Sequence, residues 1–358
     1  MTEQESLTDM VMANAERFGG AIGVRRRAGG SWTDVTTKEF AAQVLDIARG
    51  LVAAGLRAGD RVALLSSTRY EWSLLDFACW CAGLQTVPID PDTGAEDIEW
   101  ILADSAANAV VVETSAHRDA VCQVVDRLPE LTRIWRLDGP EPAVEELTAL
   151  GAGIDVAVVH RRRLAVHADD VATIGYPPER QKRVEVSHGE LLAEVRSTIA
   201  ALPALLRARN SLLVTGPMAD PLAHVVSLCC FYTRTTLGHL PDTGEELASE
   251  LGVFRPTVIV ADADLVATVQ DATRERADAE GRTGAYDAAS AVATAYGARR
   301  GGSLTLRLKR AVADRVVYPK LRAVFGGRCV AVLTTGEPLA ADRTHFLRGI
   351  GIEVHPLT

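Results

Sequence analysis

The stretch Asp170–Leu191, DVATIGYPPERQKRVEVSHGEL, decides how the chain is read. Val171 to Tyr176 is a short run rich in β-forming residues and predicts a strand. Ser187 with Glu190 three residues on is a capping-box signature, and Leu191, Leu192, Val195 and Ile199 follow at helical spacing, so a helix is expected from the cap onward. Strand, loop and helix start in that order form the frame of a phosphate-binding turn. Such a turn needs consecutive backbone N–H groups converging on the anion, which glycine permits and proline, lacking the N–H, prevents. Between Tyr176 and Ser187 there is no glycine, and Pro177 and Pro178 stand where the cradle would begin. The frame is present and the cradle is not.

Upstream, a helix is predicted around Leu7 to Phe18, then a hairpin of Gly23–Arg27 and Ser31–Val35 turning at Ala28-Gly29-Gly30. Thr37 is expected to cap a helix whose apolar face is Phe40, Val44, Ile47 and Leu51, with Gly55 as its stop. Arg61–Ser66 and Thr86–Ile89 are strands flanking a helix at Tyr70–Gly83, the unit of a parallel sheet. The alternation continues with helices at Ala95–Ser105 and His117–Leu128 and strands at Ala109–Glu113 and Arg133–Leu137. Asp138 to His167, with Pro140, Pro142, Gly151, Gly153 and the run Arg161-Arg162-Arg163, loses that regularity. It is the expected seam between two α/β subdomains, residues 1–167 and 168–358, and the arginine run is expected to be solvated.

Downstream, strands are expected at Leu212–Thr215, Thr235–Leu237, Thr257–Ala261 and Arg328–Thr334. Asp262 or Asp264 is placed to cap a helix carrying Leu265, Val266 and Val269, and Ser303 one carrying Leu304, Leu308, Val312 and Val316. The fold class is therefore α/β, two subdomains of mostly parallel sheet flanked by helices.

Composition narrows the function. The 358 residues are 47% hydrophobic and carry a net charge of -9, which suits a globular chain without general attraction to nucleic acid. No basic and apolar leader opens the sequence, and the apolar run Trp72–Leu84 is broken by Asp76 and falls short of the ~20 residues a membrane span needs. A cytoplasmic protein without a transmembrane segment is expected. The six cysteines show no metal spacing and are read as small, reduced core residues.

Seven segments in one order resemble the adenylate-forming superfamily of AMP-binding enzymes, and within it the large N-terminal domain of long-chain fatty acyl-CoA ligases of the actinobacterial type. They are SWTDVTTKEF (31–40), GLRAGDRVALLSSTRYEWSLLDFACWCAGLQTVPI (55–89), WILADS (100–105), DPLAHVV (220–226), FRPTVIV (254–260), VYPKLRAVFGGRCVAVLTTGEPL (317–339) and HFLRGIGIEV (345–354). The resemblance implies ATP-dependent activation of a carboxylic acid to an acyl-adenylate and transfer to coenzyme A, with ATP, magnesium and coenzyme A as cofactors.

The departures from the family pattern fall on that chemistry. The phosphate loop, approximately YTSGTTGxPKG in the family, is here Tyr176-Pro177-Pro178-Glu179-Arg180-Gln181-Lys182-Arg183, shorter and without glycine or hydroxyl. The nucleotide-side SGGAPL is Thr334-Thr335-Gly336-Glu337-Pro338-Leu339, and the customary Pro-Arg after FRPTVIV is Ala263-Asp264. The sequence stops at Thr358, where the family would begin its YGxTE segment. The ribose aspartate, the hinge and the C-terminal domain with its lysine would follow, and none of the four lysines, Lys38, Lys182, Lys309 and Lys320, matches that one. By resemblance, Tyr176, Arg180, Lys182, Thr335 and Gly336 are remnants of a nucleotide site, and His224 of PLAHV belongs to the acyl pocket. No residue is assigned a catalytic or metal-ligating role, and no cofactor is expected to be used.

The expectation is a degenerate ligase homologue, truncated and without its own adenylation activity, kept to bind an acyl chain or another small molecule, or a protein. A ligase half completed in trans, and an enzyme using the pocket without ATP, are the competing expectations. A dimer or protein partner is expected at the face left by missing subdomains, with the strand near Ile352–Val354 as its edge.

Overall fold

The computed structural model describes residues 5–177, 182–241, 247–279, 281–299, 303–336 and 338–357. Helix α1 (Thr8–Phe18) leads into strands β1 (Ile22–Ala28) and β2 (Ser31–Thr36). Gly29 and Gly30 take φ of +57° and +79°, the backbone a two-residue hairpin turn demands. Helix α2 (Thr37–Ala53) is capped one residue earlier than expected. Thr36, not Thr37, accepts from the Glu39 amide, and the Glu39 carboxylate accepts from the Thr36 amide in return. Its expected apolar face, Phe40, Val44, Ile47 and Leu51, is buried.

The alternation proceeds through β3 (Arg61–Leu65), α3 (Tyr70–Cys81), β4 (Gln85–Ile89), α4 (Ala95–Asp104), β5 (Ala109–Val112), α5 (Ser115–Cys122) and β6 (Arg133–Arg136). The supposedly irregular stretch then supplies two helices, α6 (Ala143–Leu150) and α7 (Val156–Leu164). Glycine there serves packing rather than disorder. A β-carbon on Gly50 of α2 would collide with the backbone of Leu147, and one on Gly151 would meet the Gly50 amide, so the two segments touch main chain to main chain. The arginine run is not simply solvated either. Arg162 donates to the Leu56 and Ala82 carbonyls and Arg163 pairs with Asp9 at 2.8 Å, tying α7 down.

Next come β7 (Val171–Gly175), β8 (Val184–Ser187), α8 (His188–Ala201), β9 (Ser211–Val214), α9 (Pro221–Thr233), β10 (Thr236–His239), α10 (Leu247–Phe254), β11 (Val258–Ala261), α11 (Ala263–Ala279), α12 (Thr283–Ala298), α13 (Leu304–Val316), α14 (Tyr318–Val324), β12 (Ala331–Thr334), α15 (Ala341–Ile350) and β13 (Glu353–Pro356). The fold is α/β. It resolves into two compact units, residues 1–26, 33–202 and 217–234 in the first and 27–32, 203–216 and 235–358 in the second. The seam expected at 167/168 falls inside the first unit, because β7 runs on as a parallel neighbour of β4 and carries β8 with it.

The first unit's sheet has the order β6-β5-β3-β4-β7-β8, parallel except for the antiparallel β7–β8 pair. Every residue of α3 is buried, its mostly apolar surface packed on all sides and its Glu71 and Asp76 met by partners. Its Trp80 donates Nε1–H to the Ala172 carbonyl at 2.9 Å, fastening α3 to β7. Burial holds the Cys79 thiol well above its usual range and pushes Cys81 up to about 12, so both are inert packing groups. Cys122 departs from the expected core role, since it sits exposed on α5.

In the second unit β13-β12-β11-β9-β10 are all parallel. The tip of the β1–β2 hairpin, residues 27–32, belongs to this unit. Trp32 donates to Glu250 at 2.7 Å with its ring 4.6 Å from Phe254, and Arg27 pairs with Glu250 at 2.8 Å. α12 and α15 approach backbone to backbone. A β-carbon on Gly297 would strike His345, and one on Gly349 would strike Ala293. Ser303 caps α13 as expected, accepting from the Leu306 amide, yet Leu304, Leu308, Val312 and Val316 of that helix face outward.

Candidate functional site

In α/β units ligands bind outside the carboxyl ends of the strands, where successive crossovers diverge to opposite sides of a starting strand. Each unit has one such point, and the two differ in chemistry.

In the first unit the chain leaves β3 for β4 on one side and later adds β5 on the other. The crevice outside β3 and β5 is filled from within. Glu113 accepts from the Ser67 amide at 2.8 Å and from the Ser67 hydroxyl at 2.7 Å, and Arg69 pairs with Glu113, with Asp138 at 2.8 Å and with Glu71 at 2.9 Å. Arg26 completes the group on Glu71 at 2.7 Å. Burial opposes both charges here. The carboxylates nevertheless hold the Arg69 guanidinium above its usual range, and the two arginines hold the Glu71 carboxyl below its own. Each carboxylate is matched by an arginine, so the network stabilises the loops, although the buried Arg26 Nε has no partner among the described residues.

The second unit's strand order around β9 also reverses, β10 to one side and β11, β12 and β13 to the other. Outside β9 lie Thr215 and Gly216, and outside β12 lie Thr335 and Gly336. Thr215 donates its hydroxyl to the Val260 carbonyl at 2.7 Å. Thr335 is buried with its amide directed to the Ala261 carbonyl, whereas Gly336 has φ of +69° and open space where a side chain would point. Thr335 and Gly336, expected from resemblance to belong to a nucleotide site, thus stand at the carboxyl edge of this sheet. Gly216 was not singled out in the sequence, because the strand order that marks it is invisible there. Glu337 lies outside the described residues.

The stretch Asp170–Leu191 contains a strand the sequence did not reveal. β7 and β8 pair antiparallel as a hairpin, Gly175 opposite Val184, with a bulge between Val171 and Thr173. Both of its described shoulders are held by α4. Tyr176 donates to Asp104 at 2.8 Å with its ring edge-on to Trp100, and Arg183 donates to the Asp104 carbonyl at 3.2 Å while pairing with Glu185 at 2.7 Å. Burial and the adjoining Asp104 raise the Tyr176 phenol, which stays protonated as the donor. Lys182 is exposed. Pro178, Glu179, Arg180 and Gln181 lie outside the described residues, Arg180 among them as a nucleotide-site candidate. Ser187 and Glu190 form the expected capping box at α8.

His224 lies on α9 and is buried in the first unit. Its Nε2 is 2.9 Å from Asp76 Oδ2, with Trp72 edge-on at 5.2 Å and Trp80 stacked at 6.0 Å. Asp76 Oδ1 and Trp72 Nε1 are buried without a partner, so this is a polar cluster with unused capacity inside an apolar helix layer. An open cleft of 430 Å³ elsewhere in the unit is lined by Gly83, Arg161, Arg162, Asp170 and His188, and His224 is not on it.

Magnesium takes oxygen ligands, and among the described residues no group of three or more His, Cys, Asp or Glu side chains is placed to hold a metal ion. The hairpin shoulders likewise do not fit a triphosphate, having a tyrosine and an arginine already engaged with Asp104. No helix among the described residues is long and apolar enough to cross a membrane.

With that geometry in place, comparison with known proteins is informative. The AMP-binding enzyme family model matches residues 11–357. The long-chain-fatty-acid–CoA ligases FadD15 of Mycobacterium bovis and of Mycobacterium tuberculosis are 37% and 36% identical over 99% of this chain, which spans 60% of their length. Among solved structures, a long-chain-fatty-acid-CoA ligase from Archaeoglobus fulgidus has a TM-score of 0.71 at 17% identity, covering 97% of this chain and 60% of that one. The N-terminal domain of FACL13 from Mycobacterium tuberculosis has a TM-score of 0.70 at 18% identity, covering 99% and 75%. At those identities the structural likeness concerns the fold.

Proposed function

The chain belongs to the AMP-binding enzyme family, and we propose that within it this polypeptide binds an acyl ligand without adenylating it. The observation that carries the reading is the sequence between Gly175 and Val184. An adenylating enzyme must neutralise charge developing on phosphates with preorganised donors, and losing one such donor costs about 10²–10³-fold in rate. That segment offers Pro177 and Pro178, which have no N–H, the carboxylate of Glu179, and cations on long side chains. Point charges on flexible stems in water replace an amide cradle poorly. The filled crevice of the first unit supports the same reading, since Glu113 and Arg69 consume each other.

The ligand class follows from the relatives, which are named for long-chain fatty acids. The test is ATP–pyrophosphate exchange by the purified chain with a panel of medium- and long-chain fatty acids, alongside native mass spectrometry of the same sample. Retained fatty acid without acid-dependent exchange is the expected result. Clear acid-dependent exchange would overturn the proposal, and exchange appearing only after addition of a separate C-terminal ligase fragment would replace it by a ligase assembled from two chains.

A further inference from the structure

Helix α13 presents one continuous apolar stripe to the outside. Leu304, Leu308, Val312 and Val316 recur at every fourth residue and are 87%, 67%, 60% and 65% exposed. Single exposed aliphatic side chains need no explanation, whereas a row along one helix face marks an interaction surface. The other side of α13 is what attaches it. Ala313 is buried, Arg310 donates to the Gly349 carbonyl at 2.9 Å and lies 4.6 Å over the Tyr296 ring, and Asp314 is held by Arg322 at 2.7 Å.

That attachment removes the helix's one carboxylate from the outward face. What remains beside the stripe is basic: Arg307, Lys309 and Arg315 are all exposed, and exposed Lys320 follows on α14. At about 100° per residue Arg315 falls within the stripe, while Lys309 and Arg307 border it on its two sides. This basic, apolar face sits on a chain whose net charge is -9. A second copy docked here about a two-fold axis would set the same cations against one another. A surface that is both apolar within and anionic at its boundary satisfies both features.

We propose that α13 is a membrane-surface helix, lying in the headgroup layer of a bilayer that contains anionic lipid. The aliphatic stripe enters the acyl boundary, and Arg307, Lys309 and Arg315 meet lipid phosphates. Four aliphatic side chains are a small anchor, so binding is reversible and depends on the charges. The acidic remainder of the chain is repelled by the same surface, which confines contact to this face.

Sedimentation of the full chain with phosphatidylcholine vesicles, with and without phosphatidylglycerol, tests this. The chain is expected to pellet with the phosphatidylglycerol vesicles only, and to be released as salt screens the charges. The triple variant Arg307→Gln/Lys309→Gln/Arg315→Gln should lower partitioning by about 100-fold, and Leu308→Gln/Val312→Gln by at least about tenfold. Both sets lie on exposed positions, and unchanged thermal melts would show that the fold is kept. Absence of pelleting, equal pelleting with both vesicle types, or pelleting that neither variant alters would each overturn the proposal. So would a dimer in light scattering that the apolar variant dissociates, because the stripe would then be covered by a second copy.

Discussion

Two buried histidines show how much a single neighbour decides. His224 has a carboxylate at 2.9 Å, and removing that carboxylate would strand the imidazole in an apolar layer. Asp76→Ala should therefore cost about 1–3 kcal/mol of unfolding free energy, while His224→Asn with Asp76→Asn together should cost clearly less, both measured by urea titration. His188 has no carboxylate at bonding distance among the described residues. It accepts only a long 3.5 Å contact from the Leu7 amide, and burial lowers its pKa from 6.5 to about 4. The unfolded chain takes up a proton below pH 6.5 that the folded chain refuses until about pH 4, so stability is full above the first value and falls toward the second. The loss should amount to about 3 kcal/mol, and a His188→Asn variant should show a flatter urea midpoint over the same window. Neither environment could be read from the sequence. A histidine in PLAHV and one after a helix cap look alike until the fold supplies Asp76 to the first and nothing comparable to the second.

At the scale of elements, what was legible is what is local. The capping boxes at Thr36 and Ser187 use residues three apart, and Ser187→Ala should cost about 1 kcal/mol in thermal or urea unfolding. The periodic faces of α2 and the parallel strands were equally plain. What failed were features set by partners distant in sequence. β8 is four residues whose strand character comes from pairing with β7, and α6 was obscured in part by Gly151, which serves a contact with α2. The same contact logic makes α12 and α15 intolerant of a methyl group. Gly297→Ala should destabilise by about 1–3 kcal/mol or more, although alanine is the better helix former, and a denaturation curve would show the sign at once. α13 teaches the converse, for an apolar row at every fourth residue has the same sequence whether it faces a core or the outside.

For the molecule as a whole, the order of motifs was enough to identify the α/β fold, whereas the membership of its two units was not. The first unit needs residues 217–234, which lie beyond a stretch given to the second. From there α9 contributes Phe231, whose ring stands 4.9 Å from Phe40 and 4.7 Å from Phe77, and His224. A fragment ending at residue 202 should accordingly fail to give a folded first unit, seen as lost near-ultraviolet circular dichroism and poor amide dispersion, although it contains that unit's entire sheet. The candidate ligand edge was similarly hidden. Thr335 and Gly336 could be found by resemblance, but Gly216 acquires its place only from the strand order about β9.

The burial of α3 on every side bears on how the chain is made. Its covering partner α9 ends at Thr233, 152 residues after α3 ends at Cys81. At about 5–20 residues per second, the ribosome leaves this helix without that cover for roughly 8–30 s of synthesis. For that interval Trp72, Phe77 and Trp80 lack the rings of His224 and Phe231 that cover them in the finished fold.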